Sequence, residues 1–129
     1  MVKTVIDNAK GLVQSAGSGA TIKGLNLGTV TVSAAGPSTP DVSEANVVIC
    51  NTSGTTVTLG GLSGGRIGQV VHIVKGSASN NLVLEHNEGD DQDFTNPSGG
   101  DLTLTAVANV LMCVYDGATW IVSDPSDKS

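Results

Sequence analysis

Aromatic and basic residues are scarce in this sequence, and both shortages exclude classes of function. Only Phe94, Tyr115 and Trp120 are aromatic, too few to build the stacking platform that binds single-stranded nucleic acid. Arg66 is the only arginine and the formal net charge is −6, so the chain lacks the basic footprint that phosphate backbones require. The sequence therefore predicts no nucleic-acid partner.

Long apolar runs and paired cysteines are missing as well. No segment approaches the roughly 20 apolar residues of a transmembrane helix, which predicts no membrane partner. Asp7 stands where a signal peptide would have its apolar stretch, so we expect no secretion signal. Cys50 and Cys113 form no CxxC pair and lie inside apolar runs. We expect both to be reduced and buried, with a disulfide or a metal site as the alternatives.

What the sequence has in abundance is alternation of apolar and polar residues, the pattern of β-strands with one buried face. It starts at Gly28 and continues through most of the chain. Three runs are apolar on both faces: VVIC from Val47, VVHIV from Val70 and VLMCVY from Val110. They predict central strands of the kind that are covered on both sides. Asp116-Gly117 between two such runs predicts a β-hairpin.

These patterns predict an all-β fold, a jelly-roll or β-sandwich-like antiparallel domain over residues 25–129 with an N-terminal extended arm over residues 1–24. The segment from Val5 to Gln14 is compatible with a weak helix interrupted by Gly11. Two interpretations of the arm stay open, a mobile terminus and an arm that lies on a neighbouring subunit. In the second case the candidate interface residues are the arm's apolar positions: Val2, Val5, Ile6, Leu12 and Val13.

No residue constellation predicts catalysis, a cofactor or a metal centre. His72 lies mid-strand between apolar neighbours, which predicts a core or interface histidine. The segment from Glu85 to Asp93 is the densest acidic stretch, but its spacing does not match a calcium loop, so we expect a solvated loop, with a divalent cation as the alternative. The glycines from Gly60 to Gly68 lack the Lys-Ser/Thr ending of a phosphate loop.

The last strands carry the candidate structural anchor. Trp120 follows the Asp116-Gly117 turn, and Tyr115 precedes it, so the two rings can meet across the hairpin. A buried Trp120 would cover more area than any other side chain in the protein. The functional alternative is an exposed Trp120 in a sugar-binding site.

The stretch from Asn51 to Val122 resembles a module of the structural proteins of tailed bacteriophages. The resemblance rests on GRIGQVVHIV, NNLVLEHNEG, FTNPSGGDLTL and the closing VYDGATW. Small relatives of this kind look like capsid decoration (cement) proteins. The resemblance thus implies a non-enzymatic homotrimer that binds the major capsid protein on the outer capsid surface of the virion, after synthesis in the host cytoplasm.

A second interpretation of the same resemblance stays open. Similar modules occur in tail fibres and spikes, where they serve trimerisation and binding of a host-receptor glycan. A fibre chain normally has a long shaft and a virion-attachment region, and this sequence, which starts at Met1, shows neither. The sequence therefore favours capsid decoration, with the tail fibre or spike as the alternative.

Overall fold

The computed structural model describes residues 4–7, 11–14, 16–17, 23–89, 91–105 and 109–123. Within these ranges the chain forms β-strands and no helix, and so no helix that could cross a membrane. The all-β prediction is confirmed. The strands are β1 Thr4–Asp7, β2 Gly11–Gln14, β3 Thr29–Val32, β4 Pro37–Ser38, β5 Val47–Cys50, β6 Val57–Leu59, β7 Gly61–Leu62, β8 Val70–Lys75, β9 Leu82–Leu84, β10 Gln92–Thr95, β11 Leu102–Leu104, β12 Val110–Tyr115 and β13 Trp120–Val122.

The central part of the chain winds as a β-solenoid of three coils. The first sheet has the strand order β3-β5-β8-β12-β13-β10-β7, and the second sheet has the order β11-β9-β6-β4. The chain passes from the first sheet to the second in each coil: β3 then β4, β5 then β6, β8 then β9. Successive coils pair in parallel in both sheets. Antiparallel β12 and β11 then cover the last coil.

The antiparallel jelly-roll prediction is therefore wrong in its topology. Alternation along a strand shows which residues face the core, but it carries no information about the direction of the neighbouring strand. Parallel neighbours need a crossover, and here a strand of the opposite sheet supplies it. The predicted hairpin is present: β12 and β13 pair antiparallel with Tyr115 opposite Trp120, and Gly117 in the turn has φ 98°.

The core consists of aliphatic columns that run across the coils. In the first sheet Val48 of β5 lies beside Ile73 of β8, and Ile73 lies beside Leu111 of β12. In the second sheet Val57 of β6 lies beside Leu82 of β9. All five are fully buried in one cluster between the sheets. Because aliphatic residues of successive strands lie beside one another, branched aliphatic side chains fill the core, and the fold needs few aromatic residues.

Both cysteines point into this core and are free. Their buried, reduced state is as the sequence predicts. Burial raises the pKa of each thiol from 9.0 to about 12. Cys50 and Cys113 therefore stay protonated at neutral pH and are poor nucleophiles.

A lysine is buried beside one of them. Lys75 ends β8 next to Cys50 of β5, and its side chain has no exposed surface. Its Nζ donates a hydrogen bond to the Ser77 carbonyl oxygen, which also accepts from the buried Thr52 hydroxyl at 3.3 Å. Asn80 Nδ2 in turn donates to the Thr52 carbonyl oxygen at 2.9 Å. These bonds attach the turn after β8 to the corresponding turn after β5 in the second coil.

Candidate functional site

Four neighbouring strands of the first sheet have an outward side that is almost entirely apolar. On each of its four neighbouring strands β5, β8, β12 and β13, alternate residues point away from the core. We call these residues the outer face: Val47, Ile49, Val70, His72, Val74, Val110, Met112, Val114 and Ile121.

The strand register makes the outer face continuous. Val47, His72 and Met112 form one row across three strands. A second row joins Ile49, Val74 and Val110, and a third joins Val70, Val114 and Ile121. Directly opposed residues in a sheet have their Cβ atoms about 5 Å apart, so each row is in contact. At about 4.8 Å across strands and about 6.7 Å along them, the nine positions cover roughly 300 Å².

The outer face is open to solvent in the single chain. Val110 is 56% exposed, and Met112 and Ile121 are each 45% exposed. The second sheet differs, because its outward row across β6, β9 and β11 contains Thr58 and Thr103 on either side of Val83. The largest apolar patch on a soluble monomer typically covers about 300–600 Å² and is often functional. The outer face is therefore the candidate functional site.

His72 lies in the middle row of this face, flanked by Val47 and Met112. It is half-buried, with its ring on the solvent side of the sheet. The expected core or interface histidine thus lies on the outer side of the sheet.

The sequence contains a signal for this face. The three runs with apolar residues on both sides are β5, β8 and β12, the strands that contribute most of it. One side of each run is covered by the core, as predicted. On the other side, Val70, Val110 and Met112 are exposed in the described part of the chain.

The candidate anchor residues come together at the hairpin. Trp120 is fully buried, and its ring centroid lies 5.1 Å from that of Tyr115 at an interplanar angle of 37°. Its Nε1 donates a hydrogen bond to Gln92 Oε1 at 3.2 Å. The same Oε1 accepts from the Gly65 amide at 2.9 Å, and Gln92 Nε2 donates to the Gly65 carbonyl oxygen at 3.1 Å. Gly65 is required here, because an added Cβ would lie 2.2 Å from the indole ring.

The turn beside these rings is held by one carboxylate. Asp116 Oδ1 accepts hydrogen bonds from the amides of Thr119 and Ala118, each at 2.8 Å. These bonds hold the pKa of Asp116 below its ordinary value. Tyr115 donates its hydroxyl proton to the Gly117 carbonyl oxygen at 3.1 Å. The polar groups at this tip are thus committed to the turn itself.

The acidic segment is tied to the turn that precedes β11. His86 Nδ1 accepts from the Asn96 amide at 3.0 Å, and the His86 amide donates to Asp101 Oδ1 at 2.9 Å. Among the described residues, which exclude Asp90, no three His, Cys, Asp or Glu side chains converge as metal ligands would. The cation alternative for Glu85–Asp93 receives no support from this geometry.

The arm forms two strands, at residues 4–7 and 11–14. β1 and β2 pair antiparallel, with Val5 opposite Val13 and Ile6 opposite Leu12. The weak helix considered for this segment is therefore wrong, because a short apolar run with a central glycine suits either structure. Val2 lies outside the described residues. The assignment of these residues to an interface stays a prediction.

Residues 29–121 match the family of phage depolymerase C-terminal beta sandwich domains. The chain belongs to this family. The match begins at the first residue of β3 and ends within β13, so it covers the coils and their antiparallel cover. A search of curated proteins finds no match. The bacteriophage origin implied by the sequence resemblance is supported, and the family favours the tail fibre or spike over capsid decoration.

The buried position of Trp120 leads to a stability prediction. We expect Trp120→Ala to lower the free energy of unfolding by about 3–5 kcal/mol, because it leaves a large cavity under the hairpin. The native protein should also show blue-shifted tryptophan emission. Chemical unfolding followed by far-UV circular dichroism measures the first, and fluorescence the second. Water-like emission with unchanged stability in the Ala variant would contradict the structural role.

Proposed function

We propose that the chain is a non-enzymatic structural module of a phage tail fibre or spike, and that it assembles as a homotrimer through its outer face. The observation that carries this proposal is the contiguous apolar surface on the outward side of β5, β8, β12 and β13. Strands that are apolar on both sides occur where both faces of a sheet are covered. A partner that supplies the missing cover removes this surface from water.

A second copy of the chain is the partner that fits the charge distribution. The chain has a formal net charge of −6, so copies repel one another over most of their surface. The outer face has no Asp, Glu, Lys or Arg. Copies that meet there therefore bury no carboxylate, ammonium or guanidinium group from either side.

The width of the outer face suits three copies around an axis. The four strands that carry it, β5, β8, β12 and β13, span about 14 Å between the outermost backbones. Three such faces arranged as a triangle leave roughly 4 Å from each sheet to the axis, a little less than half of the ~10 Å spacing of packed sheets. Side chains of ordinary length then fill the centre, with His72 of each copy among them.

The family and the buried tryptophan support the tail assignment and the structural role. The matched family is described as the C-terminal beta sandwich domain of phage depolymerases, which supports the tail-associated alternative of the sequence analysis. Trp120, the candidate sugar platform, is enclosed by Gln92 and Gly65. The proposal therefore assigns assembly to this chain and does not assign glycan binding to Trp120.

Assembly through the outer face predicts the effect of a charge placed on it. We expect the wild-type chain to sediment at three times its 12.9-kDa mass, and Met112→Glu to sediment as a monomer, because each interface would bury a carboxylate. Thr103→Glu is the matched control, since Thr103 is an exposed strand residue on the second sheet, and it should remain trimeric. A monomeric wild type, or a trimeric Met112→Glu, would refute the proposal.

The position in the virion can be tested separately. Gold-labelled antibody raised against the purified chain should bind to the tails of intact phage particles in electron micrographs. Antibody that binds to heads would instead restore the capsid decoration interpretation. Pre-incubation of the antibody with the purified chain is the control for specificity.

A further inference from the structure

We infer that β3 is a docking strand, and that the N-terminal strand pair β1–β2 of a neighbouring copy adds to it as the next strands of the first sheet. This inference rests on the proposed trimer, because it needs several copies in one assembly. It assigns a binding surface to the arm and a role to the open end of the solenoid.

The first step concerns the backbone of β3, whose outer edge has N–H and C=O groups that pair with no described strand. The carbonyl oxygens of Gly28 and Val32 accept from the amides of Val47 and Asn51, at 3.1 and 2.8 Å, and so point towards β5. Alternate residues of a strand point their backbone groups to opposite sides. Thr29 and Thr31 therefore direct their N–H and C=O groups away from β5. Both residues are exposed, and no described strand lies on that side.

The second step is that this edge lacks the features that normally block strand addition. Exposed edges are usually short or carry a charge, a proline or a bulge. The edge strand β4 of the second sheet has two residues and begins with Pro37, and β7 at the far edge of the first sheet also has two residues. β3 is Thr-Val-Thr-Val, a four-residue strand of β-branched residues.

The strand is also held in a fixed position. An added Cβ at Gly28 would lie 2.2 Å from the Glu44 carbonyl oxygen, so the start of β3 packs closely on the segment before β5. The Gly28 carbonyl oxygen also accepts from the Asn46 amide at 2.9 Å. A pre-ordered edge loses little entropy when another strand binds.

The third step is the occupant. β1 and β2 pair only with each other among the described strands, and an isolated two-stranded pair is marginal in water. They need a third strand, and β3 offers one. The 14 residues between Gln14 and Thr29 let these two positions lie up to about 50 Å apart, enough to reach a neighbouring copy.

Two further observations favour the neighbour's strand pair. The outer face covers roughly 300 Å², whereas a stable interface buries about 800 Å² on each partner. Additional contacts are therefore required. β3 is the edge of the same sheet that carries the outer face, so strands added there extend the proposed interface without a break.

Cross-linking between two different variants tests the inference. One chain carries Thr31→Cys and the other carries Val13→Cys or Val5→Cys, which places the thiol in either strand of the pair. The chains are co-refolded and treated with a short bismaleimide, a reagent that tolerates shifts of register. Cys50 and Cys113 are buried and will not compete. We expect a covalent dimer that contains one chain of each kind. Thr103→Cys in place of Thr31→Cys is the control and should give none.

A proline substitution checks that strand pairing causes the cross-link. Thr31→Pro, combined with Thr29→Cys as the reactive site, removes an N–H that points away from β5, so the β3–β5 ladder is kept while the added strand loses a donor. We expect this variant to lose the cross-link, and Thr31→Val with Thr29→Cys to retain it. Far-UV circular dichroism verifies that both variants fold.

The outcomes separate this inference from the proposed function. A trimer that gives no cross-link from either arm position would overturn the docking of the strand pair and leave the outer face as the interface. A further variant carries Thr31→Cys and Val13→Cys in the same chain. If its cross-link formed only within that chain and never between chains, the inference would also be overturned, because the arm would then bind its own β3. A monomeric wild type would refute the proposed function itself.

Discussion

Parallel hydrogen bonding between successive coils is the constraint on which the rest of this structure depends. Because β3, β5 and β8 run in one direction with matched registers, a residue of one coil has its counterpart in the next at the same height and on the same face. The buried column Val48 and Ile73 and the outward row Val47 and His72 are two consequences of one ladder. A solenoid therefore builds a regular core and a regular outer surface together.

The regularity explains how a chain with three aromatic residues forms a core. Aliphatic columns from two sheets fill the interior. The buried aromatic side chains lie in strands that follow the three coils. Phe94 and Trp120 are paired in the parallel β10–β13 contact, beyond the coils. There Gln92 satisfies the indole N–H, and Gly65 leaves space for the ring. Trp120 of β13 thus anchors the β12–β13 hairpin, in which β12 covers the last coil.

Much of the fold was predictable from the sequence because burial on a strand has a simple period. The alternating residues of β6, β9 and β11, and the Asp116-Gly117 hairpin, lie as predicted. Strand direction was not predictable, since an inward residue is inward in either a parallel or an antiparallel pair. The position of Gln92 was not predictable, because the Gly65 amide and the Trp120 indole that it contacts lie far along the chain. The burial of Lys75 was not predictable either, since a lysine at the end of a strand is ordinarily exposed. The outer face was indicated by the runs that are apolar on both sides. Such a run does not show whether the element that packs on its second side belongs to the same chain or to another.

The central claim is that the outer face is buried between copies, and the oxidation of Met112 tests it most directly. The native protein is treated with hydrogen peroxide, and the rate of sulfoxide formation at Met112 is followed by mass spectrometry and compared with that in the guanidinium-unfolded chain. Since the side chain is 45% exposed in the single chain, a monomer leaves it accessible. Burial in an assembly should slow its oxidation roughly tenfold or more, because the rate follows exposure. A native rate close to that of the unfolded chain would contradict the account.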